Sequence, residues 1–554
     1  MRVERSEDAA DRRRPRGPGV VYSALSVALV LVVGVVAFTA ESPQPPTIAE
    51  FAPSALEVID DAPPEQSSRF GSAEGGTGGL PASAPTPVPF PRPDPIDVPR
   101  ARRCVGDPPR QIEDPQSPPC VPYWEGDNGG ETAELGVTRH EVRIGFPSGG
   151  EAYEHLLLTF LNRRFEFYGR QLVRVQLPCS GSQAPEQEVA CAKAAADEYD
   201  VFASARGDSH GAPYANELAR QGVLFAAYQP FFDRGFIDAR HPYVWQYAMG
   251  ADELFRLTGD WICSRFAGRP ARYAADAVLR GRPRTFGVVF QQVEGDESLD
   301  ASRLTDELRS CDAEPEVVIE TNYRFSTDFQ SEATTIAVQM KSEDVTSVVC
   351  LCHAISFGDL TRAATSQSYY PEWLASSYAF MDIDWHLRTW SEHSQLGQLM
   401  GISIMPRHWP PADHPSVWAA REVDPGFDPE THGVAGTHAA DQMYRSMLVL
   451  ASGIQLAGPN LNPQFFERAL HDTAFPNPDH PLEAGDVGFA GDHTMTDDAA
   501  EWWWSAGGRS PYSQSSGSGT ICYVDGGARR SLGTWPSGDD PFFDPPCDSG
   551  ASGV

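Results

Sequence analysis

Short runs of β-branched and apolar residues alternate with longer amphipathic stretches from Leu135 to the end of the chain. Runs of about four to eight such residues are typical of strands, whereas apolar residues that recur at i, i+3 and i+4 are typical of helices. The alternation predicts an α/β fold with mainly parallel sheets flanked by helices. The 420 residues from Leu135 to Val554 are too many for one hydrophobic core, so the sequence predicts two lobes.

The first strand–helix unit is the clearest of the series. A strand, His140–Phe146, precedes a stretch in which Tyr153, Leu157 and Leu161 share one helical face. Gly169 is expected to end that helix. The predicted strands are His140–Phe146, Gln171–Leu177, Val201–Ser204, Val223–Ala227, Thr285–Phe290, Glu316–Glu320, Ser347–Cys352 and Trp373–Ser376. Helices fit the longer intervals between them.

An apolar run, Val20–Ala40, lies directly behind four arginines between Arg12 and Arg16. About twenty apolar residues, each rising 1.5 Å, are enough to cross a bilayer core of about 30 Å. Because arginines are retained in the cytoplasm, we expect a cytoplasmic tail at 1–19, a single membrane anchor at 20–40 and an extracytoplasmic remainder. A cleaved signal peptide is the alternative, although Phe38 fits the small-residue cleavage pattern poorly.

Residues 41–134 are rich in proline and carry no sustained hydrophobic periodicity, as in PASAPTPVPFPRPDP. Such a segment cannot bury enough apolar surface to offset the entropy of ordering, so a disordered linker is predicted. Polyproline-like stretches extend by about 3.1 Å per residue. We therefore prefer a stalk that holds the folded domain away from the membrane over a mere leader.

The chain has 10 cysteines, which in an exported protein are first interpreted as disulfides. Their spacing is too wide and irregular for a zinc site. Cys350 and Cys352 would point to the same face of a strand, so they are expected to be free and buried. The plausible pairs are Cys104–Cys120, Cys179–Cys191, Cys263–Cys311 and Cys522–Cys547.

The formal net charge of −33 and the pI of about 4.7 indicate an acidic, well-solvated surface. Binding to nucleic acid requires clustered Lys and Arg against phosphates, so nucleic acid is not expected as a partner. The basic residues are almost all Arg, and Ala, Gly and Pro are abundant. This composition suggests a GC-rich, bacterial source.

Several stretches, taken in their order along the chain, carry a family resemblance. They are Gly136–Gly145 (GVTRHEVRIG), Phe167–Val175 (FYGRQLVRV), Thr327–Val349 (TDFQSEATTIAVQMKSEDVTSVV), Leu448–Leu470 (LVLASGIQLAGPNLNPQFFERAL), His493–Asp498 and Ile521–Arg530 (ICYVDGGARR). In that order they resemble the type I periplasmic binding proteins of the branched-chain amino-acid-binding type.

This resemblance implies two α/β lobes, each a mainly parallel sheet flanked by helices, joined by three crossovers with a ligand enclosed between them. It implies that lobe 1 comprises about 136–249 and 385–475. Lobe 2 would comprise about 250–384 and 476–530, followed by a tail to residue 554. A cleft between the lobes agrees with the rule that parallel sheets bind ligands beyond the carboxyl ends of their strands.

The loops that leave the predicted strands supply the candidate ligand contacts. Hydroxyl groups and backbone N–H groups at helix starts suit a carboxylate or another anion, and aromatic rings supply flat apolar contact. The resemblance implies in addition that Ser148 and Ser204 lie in loops whose hydroxyl residues hold the ligand. The candidates are Ser148, Gly149, Tyr153, Ser204, Arg206, Tyr228 and Gln229 from lobe 1, and Tyr323, His353 and Ser377 from lobe 2.

Some of these candidates have a structural alternative. Tyr323 also fits a core aromatic residue, and His353 fits a histidine satisfied within the protein. Arg206 fits an ion pair with Asp208. The resemblance is also imperfect, because amino-acid-binding members have Ser or Thr soon after the fourth strand, where this chain has Tyr228–Gln229–Pro230. That difference leaves a bulkier or more apolar ligand, or no ligand at all, open.

No catalytic residue, metal site or cofactor is predicted. The string GDSHG at Gly207–Gly211 matches the GxSxG pattern, but a nucleophile elbow turns sharply at its strand's end, and Ser209 lies several residues beyond it. Three adjacent tryptophans, Trp502–Trp504, would alternate between the faces of a strand. Packing is therefore preferred over a sugar-stacking platform for these rings.

The sequence thus predicts a membrane-anchored extracytoplasmic solute-binding protein that captures a small molecule by hinge closure between two lobes. Its expected partners are a small-molecule ligand of open class, an ABC permease, and the membrane through the N-terminal helix. The alternative is a structural or sensory ectodomain with the same fold and no transported ligand. That alternative predicts a filled cleft.

Overall fold

The computed structural model describes the chain from Cys104 to Phe543, with gaps. The apolar run at 20–40 and the tail before it lie outside this range, so the membrane anchor stays a prediction. No helix of the described part is long and apolar enough to cross a bilayer. The gaps are 106–107, 112–113, 131, 133, 148–150, 180–183, 206–210, 294–298, 324–328, 406–413, 430–436, 475–484, 486, 511–517 and 539–540.

Strands and helices alternate along the chain, and the 8 predicted strands are confirmed to within a few residues at their ends. The strands are β1 (Cys104–Val105), β2 (Arg110–Gln111), β3 (Glu141–Phe146), β4 (Gln171–Gln176), β5 (Ala203–Ala205), β6 (Leu224–Ala227), β7 (Val244–Gln246), β8 (Phe286–Val293), β9 (Val317–Tyr323), β10 (Ser347–Leu351), β11 (Glu372–Ala375), β12 (Leu399–Ser403), β13 (Ala499–Ser505), β14 (Thr520–Tyr523) and β15 (Arg529–Arg530). The helices are α1 (Glu151–Arg164), α2 (Pro185–Asp197), α3 (Ala212–Gln221), α4 (Arg234–Asp238), α5 (Ala251–Arg265), α6 (Ser302–Ser310), α7 (Phe329–Ser342), α8 (Ala354–Ser366), α9 (Asp384–Trp390), α10 (His393–Leu396), α11 (Pro415–Val423), α12 (Thr437–Ala457) and α13 (Pro463–His471).

The first lobe is built on a parallel sheet of 5 strands in the order β4-β3-β5-β6-β7. Helices α2 and α3 cover one face of this sheet. Helices α1, α11, α12 and α13 cover the other face. Helices on both faces are typical of a parallel sheet, whose strands are buried on both sides.

The second lobe is built on an 8-stranded sheet in the order β14-β13-β12-β11-β10-β8-β9, with β15 paired to β13. Strands β8 to β12 are parallel, and the last three strands run antiparallel at one edge. Helices α5 and α6 cover one face, and α7, α8 and α9 cover the other. The prediction of mainly parallel sheets flanked by helices is confirmed for both lobes.

The three tryptophans of β13 are buried and alternate between the two faces of the second sheet. Trp503 packs with α5 and α6, whereas Trp502 and Trp504 pack on the side of α7 and α8. The alternation follows from the two-residue repeat of a strand. The packing interpretation of these residues is confirmed.

The chain passes between the lobes three times. The first crossover is Tyr247–Gly250, between β7 and α5, and the second begins at Ile404–Met405, after β12. The third leads from residues 487–496, which pack on the first lobe, into β13. The three crossovers expected from the resemblance are therefore present.

Two predicted lobe boundaries were wrong. The prediction placed residues 385–403 in lobe 1, but Leu399–Ser403 pairs with β11 in the second sheet. The run LMGIS is short and follows a polar stretch, so its sequence gave little sign of a strand. Residues 487–496 were assigned to lobe 2, yet Val487 and Met495 belong to the core of the first lobe.

The described end of the segment predicted to be a linker, from Cys104 to residue 134, packs instead on the first lobe. Cys104–Val105 pairs with Arg110–Gln111, and Asp114 and Gln116 are buried. This part of the predicted linker is ordered despite its composition, because a disulfide and buried hydrogen bonds order a segment that has few apolar residues. Residues 41–103 lie outside the described part, so their linker role stays a prediction.

Three predicted disulfides are confirmed, and one expectation about cysteine is wrong. Cys522 is disulfide-bonded, while its predicted partner Cys547 lies outside the described residues. Cys350 and Cys352 are not free but bonded to each other, with their Cα atoms 5.2 Å apart. Because β10 ends at Leu351, Cys352 is released from the alternation of the strand. The confirmed pairs are Cys104–Cys120, Cys179–Cys191 and Cys263–Cys311.

Candidate functional site

The carboxyl ends of the parallel strands bring together residues from both lobes. In lobe 1, β6 is followed by Tyr228, Gln229 and Phe231, and in lobe 2, β10 and β11 are followed by His353 and Phe380. The rings of Phe231 and Phe380 lie 6.0 Å apart, edge to face. The lobes therefore touch at the edge where parallel sheets bind ligands.

Tyr228 is one of the predicted contacts, and it lies at the hinge. Its ring stacks on Tyr247 with centroids 5.4 Å apart and an interplanar angle of 1°. Its hydroxyl lies against the sulfur of Met405, at the start of the second crossover. The side chain thus joins the first two crossovers on the lobe 1 side of the candidate site.

Gln229, the next predicted contact, is 3% exposed. Its Oε1 is buried and has no hydrogen-bond partner in the described part of the chain. An unpaired buried polar atom costs about 1–3 kcal/mol, so its presence beside Phe231 requires an explanation. A ligand that donates a hydrogen bond would supply the missing partner.

His353 precedes α8 and caps it. Its Nδ1 accepts a hydrogen bond from the backbone N–H of Ile355 at 3.1 Å, so in the neutral ring the proton lies on Nε2. Burial lowers the pKa of His353 to about 3, with His386 acting in the same direction. The ring also lies edge to face against Phe380 at 5.5 Å. His353 is therefore a neutral group beside the interlobe contact.

His386 also lies against the ring of Phe380. Its ring is 5.6 Å from the ring of Phe380, nearly perpendicular to it. Burial lowers the pKa of His386 to about 4. Phe380 has a positive φ of 71°, a backbone conformation that is uncommon for an aromatic residue. Two uncharged imidazoles therefore lie against the ring of Phe380.

Gln291, in β8, was not predicted as a site residue. Its Oε1 accepts a hydrogen bond from the backbone N–H of His353 at 3.0 Å, which fixes the orientation of the carboxamide. Its Nε2 is buried without a partner among the described residues. The sequence signal was a glutamine pair at the end of the apolar run FGVVF, where a purely structural strand would continue with apolar residues.

Ser377, a predicted contact, takes part in a buried polar cluster of lobe 2. Its Oγ donates to Asp382 Oδ2 at 2.5 Å and accepts from the backbone N–H of Ile404 at 2.8 Å. Ser403 donates to the same carboxylate oxygen at 2.6 Å. These bonds fasten the turn after β11 to the start of the second crossover.

Tyr153 and Ser204 are buried in lobe 1, and each is bonded to another residue of that lobe. The hydroxyl of Tyr153 donates to the carbonyl of Ser416 at 3.1 Å, and burial raises the pKa of Tyr153 well above its ordinary value. Ser204 Oγ lies 2.9 Å from the hydroxyl of Tyr214. Both side chains are fully buried and already bonded, so their ligand role stays a prediction.

Four predicted contacts are not described as side chains. Ser148, Gly149 and Arg206 lie outside the described residues, as does Ser209 of the GDSHG string. For Tyr323 the structure gives only its backbone, at the end of β9. Within the described residues, no group of three or more His, Cys, Asp and Glu side chains has an arrangement that would hold a metal ion.

Arg529, which was not predicted as a site residue, binds to two of the three crossovers that form the hinge. Its guanidinium donates to the carbonyls of Met405 at 2.7 Å and Ile404 at 2.9 Å. It also donates to Asp498 Oδ1 at 2.7 Å. Since Asp498 lies in the third crossover, Arg529 joins the second and third crossovers. The only sequence signal was a pair of arginines in the C-terminal stretch ICYVDGGARR.

Comparison with known proteins gives structural neighbours only. No family model matches the sequence, and no curated protein matches it. The chain is similar to a leucine-binding protein LivK from Thermotoga maritima, with 15% identity over 71% of this chain and 99% of that one and a TM-score of 0.47. A fatty acid ABC transporter substrate-binding protein from Thermomonospora curvata has 14% identity, coverages of 71% and 94%, and a TM-score of 0.48. A type 1 periplasmic binding protein from Bordetella pertussis has 14% identity, coverages of 66% and 96%, and a TM-score of 0.46.

Proposed function

We propose that this protein is an extracytoplasmic solute-binding protein that holds a small molecule between its two lobes. The observation that carries the proposal is the meeting of the strand ends of both sheets at Phe231 and Phe380, on a hinge of three crossovers. Ligand that contacts both lobes favours the closed state, because only that state offers both surfaces at once. The role needs binding and closure, and no covalent chemistry.

The unpaired carboxamide atoms support this role. Gln229 offers an acceptor on lobe 1, and Gln291 offers a donor on lobe 2. Phe231, two residues after Gln229, and Phe380 contact each other across the lobes, and their rings suit a flat or apolar body. A ligand with an apolar body and a polar group that both donates and accepts would fit these residues.

The anchoring and transport parts of the proposal rest on the sequence. The apolar run at 20–40 would hold the protein in the membrane with its N-terminus in the cytoplasm. An ABC permease would receive the ligand from the closed state. A chain lacking residues 1–40 would then be released from membranes, whereas the full chain would remain in the membrane fraction after a carbonate wash.

A second candidate is a structural or sensory ectodomain that carries no transported ligand. The observation that favours it is the internal bonding of several predicted contacts. The hydroxyl of Tyr228 lies against Met405, and Ser377 is bonded to Asp382. These polar groups therefore already have partners within the protein. The two candidates differ in whether a small molecule stabilises the fold.

The test is a thermal-shift screen of the full chain against amino acids, amides, aromatic acids, sugars, nucleosides and fatty acids. A ligand at about a hundredfold excess over its Kd adds about 2.7 kcal/mol to the free energy of unfolding. We expect a compound that stabilises the wild type but stabilises the Gln229→Leu variant less. Gln339→Leu, an exposed position on α7, is the matched control and keeps the full response. A flat response across the library would favour the ligand-free ectodomain.

A further inference from the structure

The segment before the first lobe is fastened to that lobe at several points. The Cys104–Cys120 disulfide closes it into a loop. Inside the loop, the Arg110 guanidinium donates to the carbonyl of Ser117 at 2.8 Å and to the carbonyl of Ala474, beyond α13. Arg110 is 1% exposed, although it carries a charge. The segment is therefore an integral part of the first lobe.

A buried polar network joins this segment to α12. Arg445 Nη1 donates to Asp114 Oδ2 at 3.2 Å and to Gln116 Oε1 at 2.8 Å, and Arg445 Nε donates to Asp441 at 3.2 Å. Burial opposes the charge of Arg445, but the two carboxylates more than offset it and raise its pKa. A buried cation with this many partners fixes the position of Gln116.

Gln116 in turn reaches the hinge. The hydroxyl of Tyr247, the first residue of the first crossover, donates to Gln116 Oε1 at 3.0 Å. The ring of Tyr247 stacks on Tyr228, whose hydroxyl lies against Met405 of the second crossover. The carbonyl of Tyr247 accepts from the backbone N–H of Thr496, next to the third crossover, at 3.1 Å. Tyr247 is thus linked to all three crossovers.

We propose that the described part of the segment 104–121 is a brace of the hinge, which acts through the hydrogen bond between Gln116 and Tyr247 to restrict the relative movement of the lobes. The inference rests on the proposed function, in which a ligand is bound by closure of the hinge. It goes beyond that function because it assigns control of the hinge to residues outside both sheets. Tyr247 is a positioning residue, because it holds the first crossover in place and does not itself contact the ligand. Removing its hydroxyl removes the link but keeps the ring that stacks on Tyr228.

The test measures the movement of the lobes without ligand. Glu186 on α2 and Arg303 on α6 are exposed, one on each lobe, and take nitroxide labels as Glu186→Cys and Arg303→Cys. Pulsed electron paramagnetic resonance then gives the distribution of interlobe distances for the full chain. Tyr247→Phe is expected to broaden this distribution toward longer distances.

Tyr369→Phe is the matched control. Tyr369 is buried, and its hydroxyl donates to the carbonyl of Val345 at 2.8 Å within lobe 2, far along the chain from the hinge. This variant is expected to lose stability as Tyr247→Phe does but to keep the wild-type distances. A merely structural role for Tyr247 would give the same result for both variants, and that result would overturn the proposal.

A second variant tests the brace from its other end. Cys104→Ser with Cys120→Ser opens the loop and leaves the hinge residues untouched, so it is also expected to broaden the distances. Wild-type distances in the double serine variant would also contradict the brace. Since no ligand is used, this outcome is separate from a failure of the proposed function, which would appear as an absence of ligand-induced stabilisation in the wild type.

Discussion

At the scale of single residues, the lobes depend on charges that are buried together with their partners. Glu372 in β11 accepts hydrogen bonds from Arg284, from the backbone N–H of Tyr273 and from Ser347. Neither side chain of the Arg284–Glu372 pair is exposed. Buried charges persist where hydrogen bonds satisfy them, which also explains the network around Arg445.

The two histidines beside Phe380 make stability depend on pH. Their pKa values are lowered by burial to about 3 for His353 and about 4 for His386, from an ordinary value of 6.5. The unfolded chain therefore takes up protons before the folded one. The stability that the two neutral histidines contribute to the folded state is complete above about pH 6.5. It is lost as the pH falls from the histidine pKa of the unfolded chain toward the lower pKa values of the folded chain.

We predict that His353→Asn reduces this loss. Asparagine keeps a side-chain acceptor at the start of α8 but does not titrate. A single group of this kind contributes a slope of up to about 1.4 kcal/mol per pH unit. The free energy of unfolding, measured with urea at pH 7 and pH 5, should fall less in the variant than in the wild type. Equal losses in both proteins would contradict the assignment, and His155→Asn, at an exposed position on α1, is the control.

The role of individual side chains was the least predictable part of the site. Ser204 has the position and chemistry of a ligand contact, but Tyr214, ten residues further along the chain, provides its partner. Nothing in the sequence indicates which hydroxyl group will be satisfied inside the protein. Gln291 was missed for the related reason that an unpaired atom is recognisable only when its neighbours are known.

At the scale of elements, strands were well predicted because their signals are local. Helix α13 likewise has a local start signal, with Asn462 as its cap and Pro463 as its first residue. The short strand Leu399–Ser403 was missed, and so was the disulfide of Cys350 with Cys352. The strand was missed because its apolar run is short, and the disulfide because a periodicity of two residues does not determine where β10 ends.

The packing of α12 against α13 gives a prediction at this scale. Gly453 of α12 lies so close to α13 that an added Cβ would overlap the ring of the buried Phe466. Alanine has the higher helix propensity by about 1 kcal/mol, but overpacking a core costs about 1–3 kcal/mol. Gly453→Ala should therefore lower the free energy of unfolding, as measured by urea denaturation.

The control for this prediction is Gly397, which follows α10. Nothing lies within 4 Å of its added Cβ, and its φ of −64° suits any residue. Gly397→Ala should leave stability unchanged or raise it slightly. If the Gly453→Ala variant were as stable as the Gly397→Ala variant, this result would contradict the close packing of α12 against α13.

At the scale of the whole molecule, two lobes were predicted from the length of the chain and three crossovers from the family resemblance, whereas the points of crossing were not predicted correctly. The second crossover lies some twenty residues beyond its predicted position because β12 joins the second sheet. Contacts such as Arg529 with Asp498 join parts of the chain that are 31 residues apart. Such long-range pairs leave no periodic trace in the sequence.

A ligand is expected to close the two lobes on each other. The most direct test is the distance between labels at Glu186→Cys and Arg303→Cys, measured with and without the compound that stabilises the full chain most in the thermal-shift screen. We expect a shorter and narrower distance distribution in the presence of that compound. Stabilisation with an unchanged distribution would contradict it, because the compound would then bind without engaging both lobes.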